Sequence, residues 1–156
     1  MKAVLRRQRG FTLLEMLVVV VIAGIMLGMV SLNAMPGERQ RLETDAKRIA
    51  SLLQLARDEA ILRNLPVAFE ADQFAYRFLI RQDQQWSPLK DELLRERQFE
   101  VSPMELLMDP PAANGALAAR VVFGREPVDK PFVLTLRSGD ASVSIQADGV
   151  GHFNVE

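Results

Sequence analysis

The stretch Arg9-Gly10-Phe11-Thr12-Leu13-Leu14-Glu15-Met16-Leu17-Val18-Val19-Val20-Val21-Ile22 sets a basic residue, a glycine and an apolar run in an unusual order. Lys2, Arg6, Arg7 and Arg9 all precede Gly10, and the apolar run that opens at Phe11 reaches Leu32. A secretory signal peptide is cut after its apolar region, behind small residues. Here Ala34 could sit at such a cut, but Leu32, two places earlier, is too large. The processing point therefore falls before the run, between Gly10 and Phe11, and the apolar segment is retained. As a helix, residues 11–32 would span about 33 Å, enough for one bilayer crossing. The charges in the first ten residues are all basic, so this end should face the cytoplasm and the remainder the other side.

Glu15 lies within one turn of the new N-terminus. A charged side chain in the apolar core of a bilayer costs about 2.5–3.5 kcal/mol on insertion scales. Two readings stand: an interfacial acid tolerated near the end of the segment, or a carboxylate that awaits a cationic partner. The run Arg9 to Glu15 resembles the class III leader of type IV pilins and type II secretion pseudopilins, whose core reads G-F-T-L-x-E. That resemblance implies a prepilin peptidase cutting at Gly10/Phe11 and methylating the new amine of Phe11. It also implies that Glu15 serves subunit assembly by pairing with a neighbour's terminal amine. Two charges buried together offset much of the desolvation each would suffer alone. Gly24 and Gly28 fit a small-residue helix-packing spacing and fit equally a helix loosened inside a filament.

Charge and composition exclude several roles. Four of the 19 basic residues precede Phe11, so the retained chain carries 15 against 20 acidic residues, a net charge near −5. Such a domain is a poor match for nucleic acid, whose binding rests on phosphate neutralisation. Cysteine is absent, which excludes a lipoprotein anchor, a disulfide framework and thiolate metal sites. The single histidine, His152, has no second imidazole beside it, and Asp109, Asp140 and Asp148 are too scattered for a calcium loop. No P-loop and no G-x-S-x-G occurs. The expectation is of no enzyme, no cofactor and no metal.

Beyond the apolar run, residues 33–64 read as an amphipathic continuation of the helix, interrupted at Pro36-Gly37. Leu42, Ala46, Ile49, Leu52, Leu53, Ala56, Ala60 and Ile61 recur at three-and-four spacing, a single stripe for a core. Asn64-Leu65-Pro66 ends it. Residues 65–156 read as strands and turns. Val67 and Phe69 alternate with Ala68 and Glu70, and Phe74, Tyr76, Phe78 and Ile80 share one face of the next strand. Residues 97–101, 120–123, 132–137, 143–145 and 151–155 are further strand candidates. Gln82 to Lys90 and Met104 to Leu117 read as irregular, the second with strong turn chemistry at Asp109-Pro110-Pro111 and Asn114-Gly115. A long N-terminal helix followed by antiparallel strands predicts an α+β fold with the helix stripe packed on the sheet, and the leader's resemblance implies that this fold is pilin-like.

The junction Ala56-Arg57-Asp58-Glu59-Ala60, with Tyr76, Trp86 and Asp148-Gly149-Val150-Gly151, is similar to the GspH/FimT family of minor pseudopilins and pilins. That likeness implies a minor pseudopilin of the type II secretion system. Its helix would enter the pseudopilus among the major pseudopilin and the other minor ones, at or near the tip. Until then it would wait in the inner membrane with its C-terminal domain in the periplasm. Two alternatives remain: a type IV pilus minor pilin of the FimU/FimT kind, and a bitopic inner-membrane protein with a binding domain. DNA-binding relatives use an arginine-rich C-terminal stretch, and Gly149 to Asn154 contains no arginine.

Overall fold

The computed structural model describes residues 12–33, 37–111, 119–126 and 128–156, giving the backbone alone for 28–33. Contacts divide the chain into a unit ending at Pro36 and a unit that begins at Gly37.

The first unit holds α1 (Leu13–Asn33), a helix of 21 residues. Thr12 caps it: its Oγ1 accepts the Glu15 backbone N–H at 3.2 Å, relieving one of the donors a helix start leaves unpaired. Every described α1 side chain is exposed, from Leu13 at 85% to Leu27 at 72%. Among the described residues no helix is long and apolar enough to cross a membrane. Those side chains stop at Leu27, so the expected span over 11–32 lies partly outside them.

The second unit opens with α2 (Glu38–Arg63), 26 residues long. Leu42, Ala46, Ile49, Leu53, Ala56 and Ala60 are fully buried, as their spacing predicts, and Ile61 is only half-buried. The helix ends where Asn64 turns left-handed (φ 55°), letting Leu65 N–H donate to the Ala60 carbonyl at 3.2 Å. Pro66 then forbids another turn.

Two antiparallel sheets follow. The first contains β1 (Val67–Ala71), β2 (Ala75–Gln82), β3 (Gln85–Pro88), β4 (Arg97–Gln98) and β6 (Ala119–Phe123), in the order β3-β2-β1-β6 with β4 paired to β2. The second contains β5 (Glu105–Asp109), β7 (Phe132–Ser138), β8 (Ala141–Ala147) and β9 (Phe153–Val155), in the order β5-β7-β8-β9. Both sheets touch α2 and share one core with it. Phe69, Tyr76, Phe78 and Phe99 cluster there, with ring centroids 5.3–6.4 Å apart. Each such side chain, once buried, contributes about 1.5–3 kcal/mol.

Three expectations are corrected. Gln82 to Lys90 is not irregular: β3 returns on β2 through Asp83 and Gln84, both at positive φ (50° and 68°). That two-residue turn normally takes asparagine or glycine, so glutamine concealed it. Glu105 to Asp109 is a strand, masked in the sequence because Leu107, which alternation would make polar, is 48% exposed. Finally, Phe74 stands 52% exposed at the β1–β2 turn instead of joining the inward face of β2. The candidates at 97–101 and 151–155 shorten to β4 and β9.

Candidate functional site

The helix start carries the residues that the leader motif singles out. Gly10 and Phe11 lie outside the described residues. Glu15 occupies the first turn of α1, three residues after its Thr12 cap, where an acid also complements the positive end of the helix dipole. The sequence pattern Thr12-Leu13-Leu14-Glu15 is thus a capping signature as well as part of a leader, a signal available in the sequence. A Cβ placed on Gly24 would meet nothing within 4 Å, so that flat spot has no neighbour within the described residues.

Within the second unit, one arginine fastens three segments. Arg57 of α2, its side chain 11% exposed, donates from Nη2 to the Val150 carbonyl at 3.1 Å and lies 4.0 Å from Asp129 Oδ2. Asp129 N–H in turn donates to the Gly149 carbonyl at 2.8 Å. Within the terminal hairpin, Asp148 Oδ1 accepts the N–H groups of Val150, Gly151 and His152 at 2.8–3.1 Å. Its Oδ2 meets His152 Nδ1 at 2.6 Å. The hydrogen bond with His152, then those from the backbone, hold the Asp148 carboxyl down to about 2. His152 is exposed and sits just before β9, and this turn is the environment that employs it.

Two buried acids escaped the sequence reading. Glu70 sits on the central strand β1, only 5% exposed, although alternation marks it as outward. The register places Arg77 of β2 and Arg120 of β6 directly beside it. Arg77 donates twice to Glu70 Oε2, at 3.0 and 3.1 Å, and Arg120 Nη1 reaches Oε1 at 3.1 Å. Asp45 faces inward from α2 at 0% exposure, accepting the Glu100 N–H at 2.8 Å and facing Arg48 at 3.4 Å. Burial raises the Asp45 carboxyl above the usual carboxylate range, the Glu100 charge adds to the rise, and the Glu100 N–H and Arg48 oppose it.

These acids are spoken for by cations and backbone donors. Among the described residues no three histidine, aspartate or glutamate side chains gather as a metal site. The geometry offers helix packing, register and surface recognition.

Residues 5–31 match the model of the prokaryotic N-terminal methylation motif, and residues 45–151 match that of type II transport protein GspH. The chain is similar to the type II secretion system protein H of Pseudomonas aeruginosa, with 30% identity over 142 residues, covering 88% of this chain and 81% of that relative. Among solved structures it resembles the minor pseudopilin EpsH from the type 2 secretion system of Vibrio cholerae, at a TM-score of 0.58 and 16% identity. That match covers 74% of this chain and 96% of EpsH. The type IV minor pilin FimU of Pseudomonas aeruginosa gives a TM-score of 0.56 at 15% identity, covering 76% of this chain and 90% of FimU. At such identities the two structures establish the pilin-like fold alone.

Proposed function

We propose a mechanical role from one premise: this chain belongs to the GspH family of type II transport proteins and is a minor pseudopilin of the type II secretion system. Members of this family are structural, not enzymatic. The methylation motif implies processing by a prepilin peptidase, and the family implies partners in the pseudopilus and an anchor in the inner membrane.

The finer steps are our reading. The peptidase cuts between Gly10 and Phe11 and methylates the Phe11 amine. Residues 11–32 hold the protein in the inner membrane with the domain from Gly37 in the periplasm. The chain then joins the pseudopilus at or near its tip, beside the major pseudopilin and other minor ones. The observation that carries this is α1 itself: a helix whose described side chains are all exposed and almost all apolar must be covered, first by lipid and then by neighbouring helices. Glu15 is the one charge on it. After the cut, a terminal amine and the positive helix end lie together, and a neighbour's Glu15 is the anion that offsets both.

The test replaces Glu15 by leucine in the full chain. Insertion and cutting at Gly10 should persist, because the membrane gains from loss of the charge. Co-purification with the major pseudopilin should fall, and secretion of a reporter should drop without vanishing. Wild-type incorporation and secretion by Glu15→Leu would refute the pairing.

A further inference from the structure

The two sheets present unlike outer faces. On the second sheet that face carries hydroxyls and amides such as Ser142, Gln146 and Asn154, with Thr135 and Ser144 bonded to each other at 2.9 Å. Leu107, paired with Thr135, is its exposed apolar exception. The first sheet instead carries Arg77, Arg81, Arg120, Val122 and Trp86 around Glu70. Trp86 pairs with Arg81 across the β2–β3 ladder, yet its ring also lies 5.1 Å from the Arg120 guanidinium, on the strand at the far side of the sheet. The indole therefore lies across the face. Ala68 and Leu79, which share that face, are correspondingly dry at 0% and 8% exposure. Arg81 sits 5.9 Å from the same ring.

We infer that this face is a docking surface for an acidic segment of another protein, anchored by a large apolar side chain beside Trp86. Three arginines against one carboxylate give the patch a surplus of two positive charges, on a chain whose net charge is −1. Arginine and tryptophan on a desolvated floor are the side chains that dominate binding energy at interfaces. The anchor has a place to go: a cleft of about 450 Å³, lined by Arg81, Trp86, Arg120, Val122, Pro110 and Pro131. Glu70 and Asp129 argue against a nucleic-acid strand, whose unbroken row of phosphates would meet both. A peptide can set its carboxylates at Arg81 and Arg77 and avoid them. The inference rests on the family reading, which has this chain working among other protein subunits.

A photo-reactive amino acid at Val122, 48% exposed on the cleft wall, tests it in the full chain, in cells carrying the secretion system. The expected product is one dominant adduct with another protein, mapped by mass spectrometry to acidic residues flanking a large apolar one. Arg81, which is exposed and whose guanidinium donates only to the Gln84 side chain among the described hydrogen bonds, is the residue to reverse. Arg81→Glu should cut the adduct about tenfold or more, and changing the mapped carboxylates to lysine should restore it. Arg81→Gln, which removes the charge but keeps a polar, unbranched stem, should give a smaller loss and guards against a folding defect. No adduct, an adduct with a second copy, with nucleic acid or with lipid, or a yield indifferent to Arg81→Glu would each overturn the inference. Co-purification with the major pseudopilin is scored in the same cells. Its retention without an adduct removes this surface alone, whereas its loss in the unsubstituted chain removes the family role as well.

Discussion

Replacing Gly149 by alanine should be among the most damaging small changes in the domain. Gly149 sits at φ +82°, where an L side chain is strained by about 1–2 kcal/mol. A Cβ there would stand 2.4 Å from the Asp129 carbonyl oxygen and 3.2 Å from Pro131 N, both backbone atoms that cannot rotate away. Forcing the 129–131 segment outward adds about 1–3 kcal/mol by analogy with overpacked cores. It also loosens the 2.8 Å Asp129 N–H bond to the Gly149 carbonyl, a further ~0.5–1.5 kcal/mol. The total is about 2.5–6.5 kcal/mol, from a domain whose whole stability should be about 5–15 kcal/mol. Two other glycines separate the causes. Gly139, at φ +52°, has no atom closer than 3.8 Å to an added Cβ, so Gly139→Ala should cost only the strain, about 1–2 kcal/mol. Gly124 has ordinary φ and a nearest atom at 3.6 Å, and Gly124→Ala should change stability by no more than about 0.5 kcal/mol. Urea unfolding of residues 37–156, which contain the whole described core, measures all three. Should Gly149→Ala fall within about 1 kcal/mol of Gly139→Ala, the contact with Asp129 is not what demands a glycine there.

If the peptidase pocket accepts no bulky side chain before the cut, Gly10→Val should leave the precursor uncut; a mature N-terminus still found at Phe11 by mass spectrometry would reject this. Acid unfolding reports on Asp148, whose carboxyl is held at about 2 in the fold against 3.8 for a free side chain. A lowered value stabilises above the unfolded value and loses that stability as pH falls, so the loss should run between about pH 4 and 2, and Asp148→Asn should flatten that part of the profile. Asp45 acts with the opposite sign. Its raised carboxyl makes the fold relatively more stable as pH falls toward 3.8, so Asp45→Asn should remove a stability loss that the native chain shows on the way up.

What the sequence displays and what it hides divide along a physical line. A helix stripe is a matter of spacing, so the inward residues Leu42, Ile49, Leu53 and Ala56 could be named in advance. Hairpins with strong alternation, such as Phe132 to Ser138 against Ala141 to Ala147, were equally open to reading. Strands β3 and β5 were not, since one turns on Gln84 and the other exposes Leu107. Glu70 points outward as alternation requires, yet it is only 5% exposed, so it breaks the rule that an outward charged residue is bathed in water. Nothing local announces it, because its two arginines lie 7 and 50 residues further along and only sheet register brings all three together.

The same line separates the two kinds of recognition in this protein. A peptidase that reads the methylation motif, which lies within residues 5–31, meets a continuous chain, so what it reads sits in consecutive residues. That leader is therefore legible without any structure. A docking partner meets the folded domain instead, and what it would read at Trp86, Arg81 and Arg120 comes from three different strands. The order β3-β2-β1-β6 sets those side chains on one face, with the indole lying across β2 and β1 to meet Arg120. Slipping β6 by one residue would turn Arg120 to the opposite face and leave Glu70 half-neutralised. The ion pairs at Glu70 thus have a second consequence beyond stability: they penalise the wrong register, and so fix the arrangement that the outer face presents.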